Sequence, residues 1–405
     1  MSEVARVPQL RFPEFSNEWE KNKLGNLAVI KSGISPSKYE LKTTGSLPFL
    51  KVEDLNNCRK YQFNSRVYSE SLKNSINKNS VIFPKRGAAI RLNKVRINKV
   101  AALMDSNLMA LLPNTELLNT EFLYYKIMLD GLYKIADTST IPQINNKHIL
   151  PYKLNLPILP EQQKIAAFLT AVDNKIEQLS KKQELLGEYK KGLTQQIFSQ
   201  AIRFKAGDGS DFPDWKEKKL ENVLKRTSTG LNPRQNFKLG YGENYYVTIK
   251  NISNGKLDFS KCERIDENAM TMIANRSDLS KGDLIMSSIG NVGESYLLDK
   301  EPENWNINES VFMLRASELM LPQFLYFIIT NEQSKWYLES NSTGSSFKSI
   351  KLGELKLLPL GLPSLEEQTK IANFLSSIDT KIEQVGKQLD ESKQFKKALL
   401  QQMFV

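Results

Sequence analysis

A stretch of this 405-residue chain occurs twice, and no other feature limits its architecture so strongly. Glu161-Gln162-Gln163-Lys164-Ile165-Ala166-Ala167-Phe168-Leu169 returns as Glu367-Gln368-Thr369-Lys370-Ile371-Ala372-Asn373-Phe374-Leu375. The match continues through Asp173-Asn174-Lys175-Ile176-Glu177-Gln178 and Asp379-Thr380-Lys381-Ile382-Glu383-Gln384. It closes with Gln195-Gln196-Ile197-Phe198 against Gln401-Gln402-Met403-Phe404. Every pair, from 161/367 to 198/404, is 206 positions apart, so the block was duplicated without insertion. A two-fold object built from one chain is the expected result.

The apolar positions of the block follow a 4-3 spacing, the signature of a helix with a supercoiling seam. In the first copy they are Ile165, Leu169, Val172, Ile176 and Leu179, and in the second Ile371, Leu375, Ile378, Ile382 and Val385. Ile165, Leu169, Val172, Ile176, Ile371, Leu375, Ile378 and Ile382 are therefore the expected coiled-coil and partner contacts. At ~1.5 Å per residue, Pro160 to Phe198 makes a helix of roughly 58 Å. Pro160 and Pro363 sit just ahead of the helical starts, where a missing N–H is tolerated. Glu161, Glu366 and Glu367 place negative charge at the positive end of each dipole. Gln183 and Lys190 interrupt the first seam, and Ser392 and Lys396 the second. These positions fix register if buried, or lie open with lysine stems along the helix if exposed. Two matching helices pair most economically with each other, antiparallel, although another protein's helices could also take the seam.

The segments ahead of the helices also correspond. Trp19, Leu24 and Asn26 match Trp215, Leu220 and Asn222 at a separation of 196, so the second segment is the longer. Arg11-Phe12 and Arg203-Phe204 open the copies. Phe12-Pro13-Glu14 is echoed by Phe212-Pro213-Asp214, and β-rich runs follow at Pro48–Val52 and Tyr245–Ile249. The runs Val81-Ile82-Phe83 and Leu284-Ile285-Met286 lead to glycines, and Leu117–Leu129 and Glu318–Thr330 have helical character. The fold class is α/β (α+β): two mixed domains separated by two long antiparallel helices. The expected boundaries are 1–158, a first helix at 159–201, a second domain at 202–362, and a second helix at 363–405.

Composition narrows the function. The chain carries 56 Lys+Arg against 45 Asp+Glu, a net +11 that favours polyanions. Residues 1–155 hold 23 basic and 13 acidic side chains, whereas residues 203–358 hold 21 of each. No run approaches the ~18 apolar residues of a membrane span. The N-terminus has no signal-peptide core, and two cysteines (Cys58, Cys262) fit the cytoplasm. The single histidine, His148, excludes a His-rich zinc site, and its polar surroundings suggest an ordinary turn residue. No Walker motif is present. The nearest approach to an amino-methyltransferase tetrapeptide, Asn232-Pro233-Arg234, lacks the second proline and the aromatic ring. No catalytic constellation is expected, and no cofactor or metal in this chain.

The order of variable domain, Pro-x-x-Glu-Gln-x-Lys-Ile helix, variable domain and second Glu-Gln-x-Lys-Ile helix resembles the specificity subunits of Type I restriction-modification systems. The opening Leu10-Arg11-Phe12-Pro13-Glu14-Phe15 and the Trp-x₄-Leu landmarks fit that family, and the resemblance spans the chain. It implies two target recognition domains, each reading one half of a bipartite, asymmetric double-stranded DNA sequence. It also implies docking of methyltransferase subunits, two in number, and of restriction/translocase subunits. S-adenosylmethionine, and ATP with Mg, would be cofactors of those partners. The near-neutral second domain departs from the expected basic character of a DNA reader. The rival reading is a non-catalytic coiled-coil adaptor without sequence-specific DNA reading, separable by its indifference to DNA sequence and spacing.

Candidate DNA contacts follow from residue type and loop position. In the first domain, Lys85, Arg86, Arg91 and Lys94 surround Gly87, where guanidinium forks and close backbone approach suit a groove. Lys31, Ser35 and Lys38 mark an early loop, and Thr138, Ser139 and Gln143 a late one. Their counterparts are Thr229, Arg234 and Gln235, then Lys250, Asn251, Ser287, Ser288 and Asn291, and finally Ser345 and Lys348. Gln162 and Gln368 are expected in packing rather than DNA reading, and Trp19 and Trp215 in the core.

Overall fold

The computed structural model describes residues 7–137, 141–234, 236–345 and 347–405. The repeated blocks form helices of 40 and 38 residues, Leu159–Phe198 and Leu365–Gln402. Pro160 lies inside the first turn rather than ahead of it, where no ladder donor is lost. The chain divides into two compact units, one comprising the chain up to Lys181 with Gly386–Val405, the other Lys182–Val385. Boundaries at 158, 201 and 362 therefore mark chain segments but not packing units. Each unit combines one mixed domain with the start of the helix that follows it and the end of the other helix. Within each unit these two helical segments run antiparallel.

The first unit is built on a five-stranded sheet in the order Ala28–Ser32, Leu108–Pro113, Val81–Pro84, Arg96–Asn98, Tyr61–Gln62. Its neighbours are antiparallel except the last pair. The central strands are continuous apolar runs because both faces are covered. A three-stranded sheet (Tyr68–Ser69, Leu47–Leu50, Leu103–Met104) lies beside it, and Glu20–Lys23 pairs with Lys153–Leu156. The second unit repeats this plan: Leu224–Thr229, Val311–Ala316, Leu284–Ser287 and Ser295–Leu297 form one sheet. Glu263–Ile265, Asn244–Val247 and Trp305–Ile307 form a second, and Lys216–Lys219 pairs with Pro359–Leu362. Its extra length includes the helix Glu267–Ser277. It also includes the helix Glu332–Ser340, nine residues where the first unit has the four of Leu132–Ile135. A bulge between Leu224 and Arg226 shifts the register by one, so Gly230 rather than Thr229 is the counterpart of Gly33. At both glycines the backbone is crossed too closely for a side chain. An added Cβ would lie 1.9 Å from the Asp105 oxygen or 1.6 Å from that of Ile307.

The shared landmarks converge on one junction in each unit. Arg11 donates twice to Glu161, both at 2.7 Å, and the Trp19 indole nitrogen lies 3.4 Å from the same carboxylate. Arg203 grips Glu367 at 3.2 and 2.9 Å, and Trp215 donates to it at 3.0 Å. Glu161 and Glu367 are fully buried. The adjacent glutamine is used identically in both copies. Gln162 accepts from Asn119 N–H and donates to the Leu117 and Pro157 carbonyls. Gln368 accepts from Leu321 N–H and donates to Leu319 and Pro363. The closing phenylalanines complete each junction: Phe404 packs on Trp19 and Phe122, and Phe198 on Trp215 and Phe324.

This packing uses the heptad residues both against the other helix and in the domain core. Ile165 and Leu169 belong to the first unit's core with Trp19, Leu399 and Met403, and Ile371 and Leu375 to the second's with Ile197. They are buried and closed to any other subunit. Ile176 and Ile378 are buried farther along, while Val172 and Ile382 are half-buried. The lysines that interrupt the seam face an aspartate of the repeated block. Lys396 meets Asp173 and Lys190 meets Asp379, each at 2.6 Å. Each ammonium also lies near an aromatic face, Tyr125 at 5.5 Å and Phe327 at 5.3 Å. In the first unit the cluster extends to buried Lys60, which donates to Tyr125 (2.9 Å) and Thr170 (2.7 Å). Burial lowers the Lys60 pKa to about 8 against the pull of Glu121 and Asp173.

Replacing Glu161 by alanine leaves Arg11 and the Trp19 indole without their partner in a dry site. A loss of about 3 kcal/mol is expected in urea unfolding. Glu367→Ala should cost a similar amount, and because the junctions share no residue the double variant should be nearly additive.

Candidate nucleic-acid interface

Two loops meet in each unit, tied by the same backbone hydrogen bonds. In the first, the chain leaves Val81–Pro84 through Lys85-Arg86-Gly87. Lys85 N–H donates to Asn107, Gly87 N–H to Pro142 and Ile144 N–H to Lys85, all at 2.9 Å. Arg86 bridges to Gln143, which also bridges to Asp137. In the second unit Ser288 donates to Ser310 (2.9 Å), Gly290 to Lys348 (2.8 Å) and Ile350 to Ser288 (2.9 Å). Ile289 bridges to Ser349, which bridges to Thr343. Gly87 and Gly290 share a φ of +77°, a region closed to most side chains. The wiring is common while the side chains differ: Lys85-Arg86 occupies the positions of Ser288-Ile289.

The expected contact residues divide by what their side chains touch. Arg86, Arg91, Lys38, Arg234, Lys250, Ser345 and Lys348 are exposed. Arg86 forms no ion pair among the described residues, and Arg91 lies 5.0 Å over the ring of Tyr133, an aromatic neighbour that its distance along the chain concealed. Ser35 is exposed and bonds to Ser37 at 2.9 Å. Asn291 is exposed with its amide on Glu294, while Lys94 and Gln143 are half-buried, the latter donating to Asn145. Lys85 is half-buried, and burial together with neighbouring Arg86 lowers its pKa.

Five of the expected contact residues are engaged within the protein. Lys31 donates to the Ser75 carbonyl at 3.1 Å, and half-buried Thr229 receives Arg276 at 3.1 Å. Asn251 is buried and closes a capping box with Thr248 while donating to Asp258 at 3.1 Å. Ser287 and Ser288 are buried with their hydroxyls on the Asn291 and Ser310 carbonyls. Four of these side chains are engaged with backbone groups, and Thr229 with a guanidinium. Thr138, Ser139 and Gln235 lie outside the described residues. His148 lies in the short helix Asn146–Ile149, where its Nδ1 accepts from Asn145 N–H at 3.1 Å.

Several charges of the second domain are paired within it. Arg315 is clamped on buried Asp283 at 2.7 and 2.8 Å, and both Arg315 and Arg226 reach Asp278. These charges hold strands and turns together, while Lys348 on the late loop, and Lys250 and Arg234 elsewhere in the domain, are exposed. Among the described residues no cluster of His, Cys, Asp and Glu could hold a metal ion, and no helix is long and apolar enough to cross a membrane.

Comparison with known proteins agrees with the doubled geometry. Residues 16–186 and 213–391 match the Type I restriction modification DNA specificity domain. The Type I restriction enzyme MjaVIII specificity subunit of Methanocaldococcus jannaschii is 23% identical, over 96% of this chain and 92% of its own length. The putative MjaX specificity subunit of the same organism is 25% identical, over 96% and 93%. Among solved structures, the S subunit of a Type I restriction-modification system from M. genitalium superposes with a TM-score of 0.62. It is 17% identical and covers 98% of this chain and 99% of that one.

The loop glycines and the helix glycines should respond oppositely to alanine. Gly87, at φ +77° and ψ −163°, is in a region essentially reserved for glycine. Gly87→Ala is expected to lose about 1–3 kcal/mol in urea unfolding. Gly187→Ala, in open space within the first long helix, should gain about 0.5–1 kcal/mol.

Proposed function

The chain belongs to the Type I restriction-modification DNA specificity family, and from that membership we propose that it reads a bipartite, asymmetric double-stranded DNA target, one half per unit. It is a specificity subunit and not a catalytic one. The observation that carries the bipartite reading is the pair of identically wired loops bearing unlike side chains. A common backbone presents the same loops to two half-sites, and different residues read different bases. Exposed cations beside each loop, Arg86 and Arg91 in one unit and Lys348 in the other, supply phosphate attraction and guanine-directed donors.

The same reading gives the helices a docking role. Methyltransferase subunits, two per complex, would supply S-adenosylmethionine chemistry, and restriction/translocase subunits would supply ATP and Mg, all in the cytoplasm. Because Ile165, Leu169, Ile371 and Leu375 are buried, the contact belongs to the outward helical face. Tyr189 and Phe395, 206 positions apart in the two blocks, are 55% and 53% exposed there. In the first unit Phe395 borders a groove lined by Lys175, Leu179, Gln388 and Glu391.

Mapping methylated adenines in a host expressing this chain with its methyltransferase yields the motif, from which a test duplex is made. Binding should fall steeply with salt, and one base pair inserted between the halves should abolish selectivity. Arg86→Ala or Arg91→Ala should weaken binding roughly ten-fold or relax one half-site only. Equal relaxation of both halves, or tolerance of the insertion, would contradict the assignment.

A further inference from the structure

The late loops carry large apolar side chains that face water at equivalent positions. Ile141 is 67% exposed and Phe347 is 75% exposed. They are 206 positions apart, the separation of the repeated blocks, and each precedes a residue whose carbonyl receives a loop glycine. Pro142 accepts from Gly87 and Lys348 from Gly290. Singly exposed hydrophobic residues are common and need no explanation. Here the sequences differ, Ile141-Pro142-Gln143 against Phe347-Lys348-Ser349, yet the position stays apolar and exposed. Around Phe347 the backbone is held on both sides. Thr343 and Ser349 exchange hydrogen bonds at 2.8 Å, and at Gly344 (φ +105°) a Cβ would lie 2.4 Å from the Phe347 oxygen.

We propose that Ile141 and Phe347 are base-contacting residues, one per unit, each setting one position of one half-site. The inference rests on the DNA reading above and names the side chains that carry part of it. Exposed arginine or lysine lies alongside, Arg86 in the first unit and Lys348 in the second. These can hold phosphates while the apolar tip points between them. The apolar group that an intact duplex offers in its major groove is the thymine methyl. The apolar surfaces that a side chain reaches by wedging into the stack are base faces. Either contact is made to a base and not to the phosphate backbone, so it carries sequence information. Lys348 contributes charge alone, and its effect is spread evenly over sequences.

The test uses the full chain with its methyltransferase in a host without other adenine methylation, with genomic DNA as the probe. Methylated fractions are counted at cognate sites and at sites differing by one base. Phe347→Ala should relax one position of one half-site, raising methylation at sites with the wrong base there by about ten-fold relative to cognate sites. Ile141→Ala should do the same in the other half. Phe347→Leu, which keeps an apolar tip, should stay closer to wild type, and Lys348→Ala should lower occupancy at all sites alike. Thermal unfolding should be unchanged in all four variants. If the wild-type motif is bipartite and Phe347→Ala and Ile141→Ala leave it unchanged, or lower all sites evenly, the proposal is overturned while the DNA reading stands. A wild-type motif that is not in two parts would sink both.

Discussion

A carboxylate buried in the first turn of each long helix is the point to which the rest of the architecture is tied. Glu161 and Glu367 each take a forked arginine and an indole N–H. Three segments remote in sequence are joined at each: the stretch opening a domain, the helix that follows it, and the end of the other helix. A buried carboxylate is tolerable only when paired and hydrogen-bonded. Arg11 and Arg203 meet that need, and their bonds to glutamate raise both guanidinium pKa values further. The neighbouring glutamine then saturates three backbone groups of the adjacent domain. The repeated Glu-Gln pair is thus a socket, which explains why these residues match closely in both copies while the loops do not.

Freedom to vary follows from where the constraints lie. The sheets, the tight approaches at Gly33 and Gly230 and the turns at Gly87 and Gly290 are set by backbone geometry. The positions held this way can keep their shape while Lys85 gives way to Ser288 and Arg86 to Ile289. Some of the acidic residues that seemed to weaken the second domain as a DNA reader are internal ties, as Asp283 is to Arg315. Net charge over a segment is therefore a poor measure of what its surface presents.

The doubled helices, the two mixed domains and their equivalence were legible in the sequence because each rests on a repeat or a hydrophobic period. The packing partners of a period were legible only in part, since the other helix was expected and the domain core was not. Ile165 and Leu169 follow the heptad as faithfully as any seam residue, but spacing alone does not say whether an apolar stripe meets a helix or a sheet. Polar contact residues were legible only as types. Asn251, Ser287 and Ser288 had the chemistry of groove readers, yet their partners are backbone groups brought near by folding. Ile141 and Phe347 escaped for the opposite reason: a large apolar residue reads as core until its exposure is known.

The division of the chain into units bears on how it is made. The second unit is one unbroken stretch, Lys182–Val385, whereas the first needs Gly386–Val405 to place Phe404 against Trp19. Domains commonly fold as they leave the ribosome, N-terminal ones first. Here that order is inverted: the unit that begins first along the chain has an incomplete core until residues 386–405 arrive. Its open surface around Trp19 and Phe122 must stay out of wrong contacts throughout the synthesis of the second unit, so of the two units the one begun first is completed last.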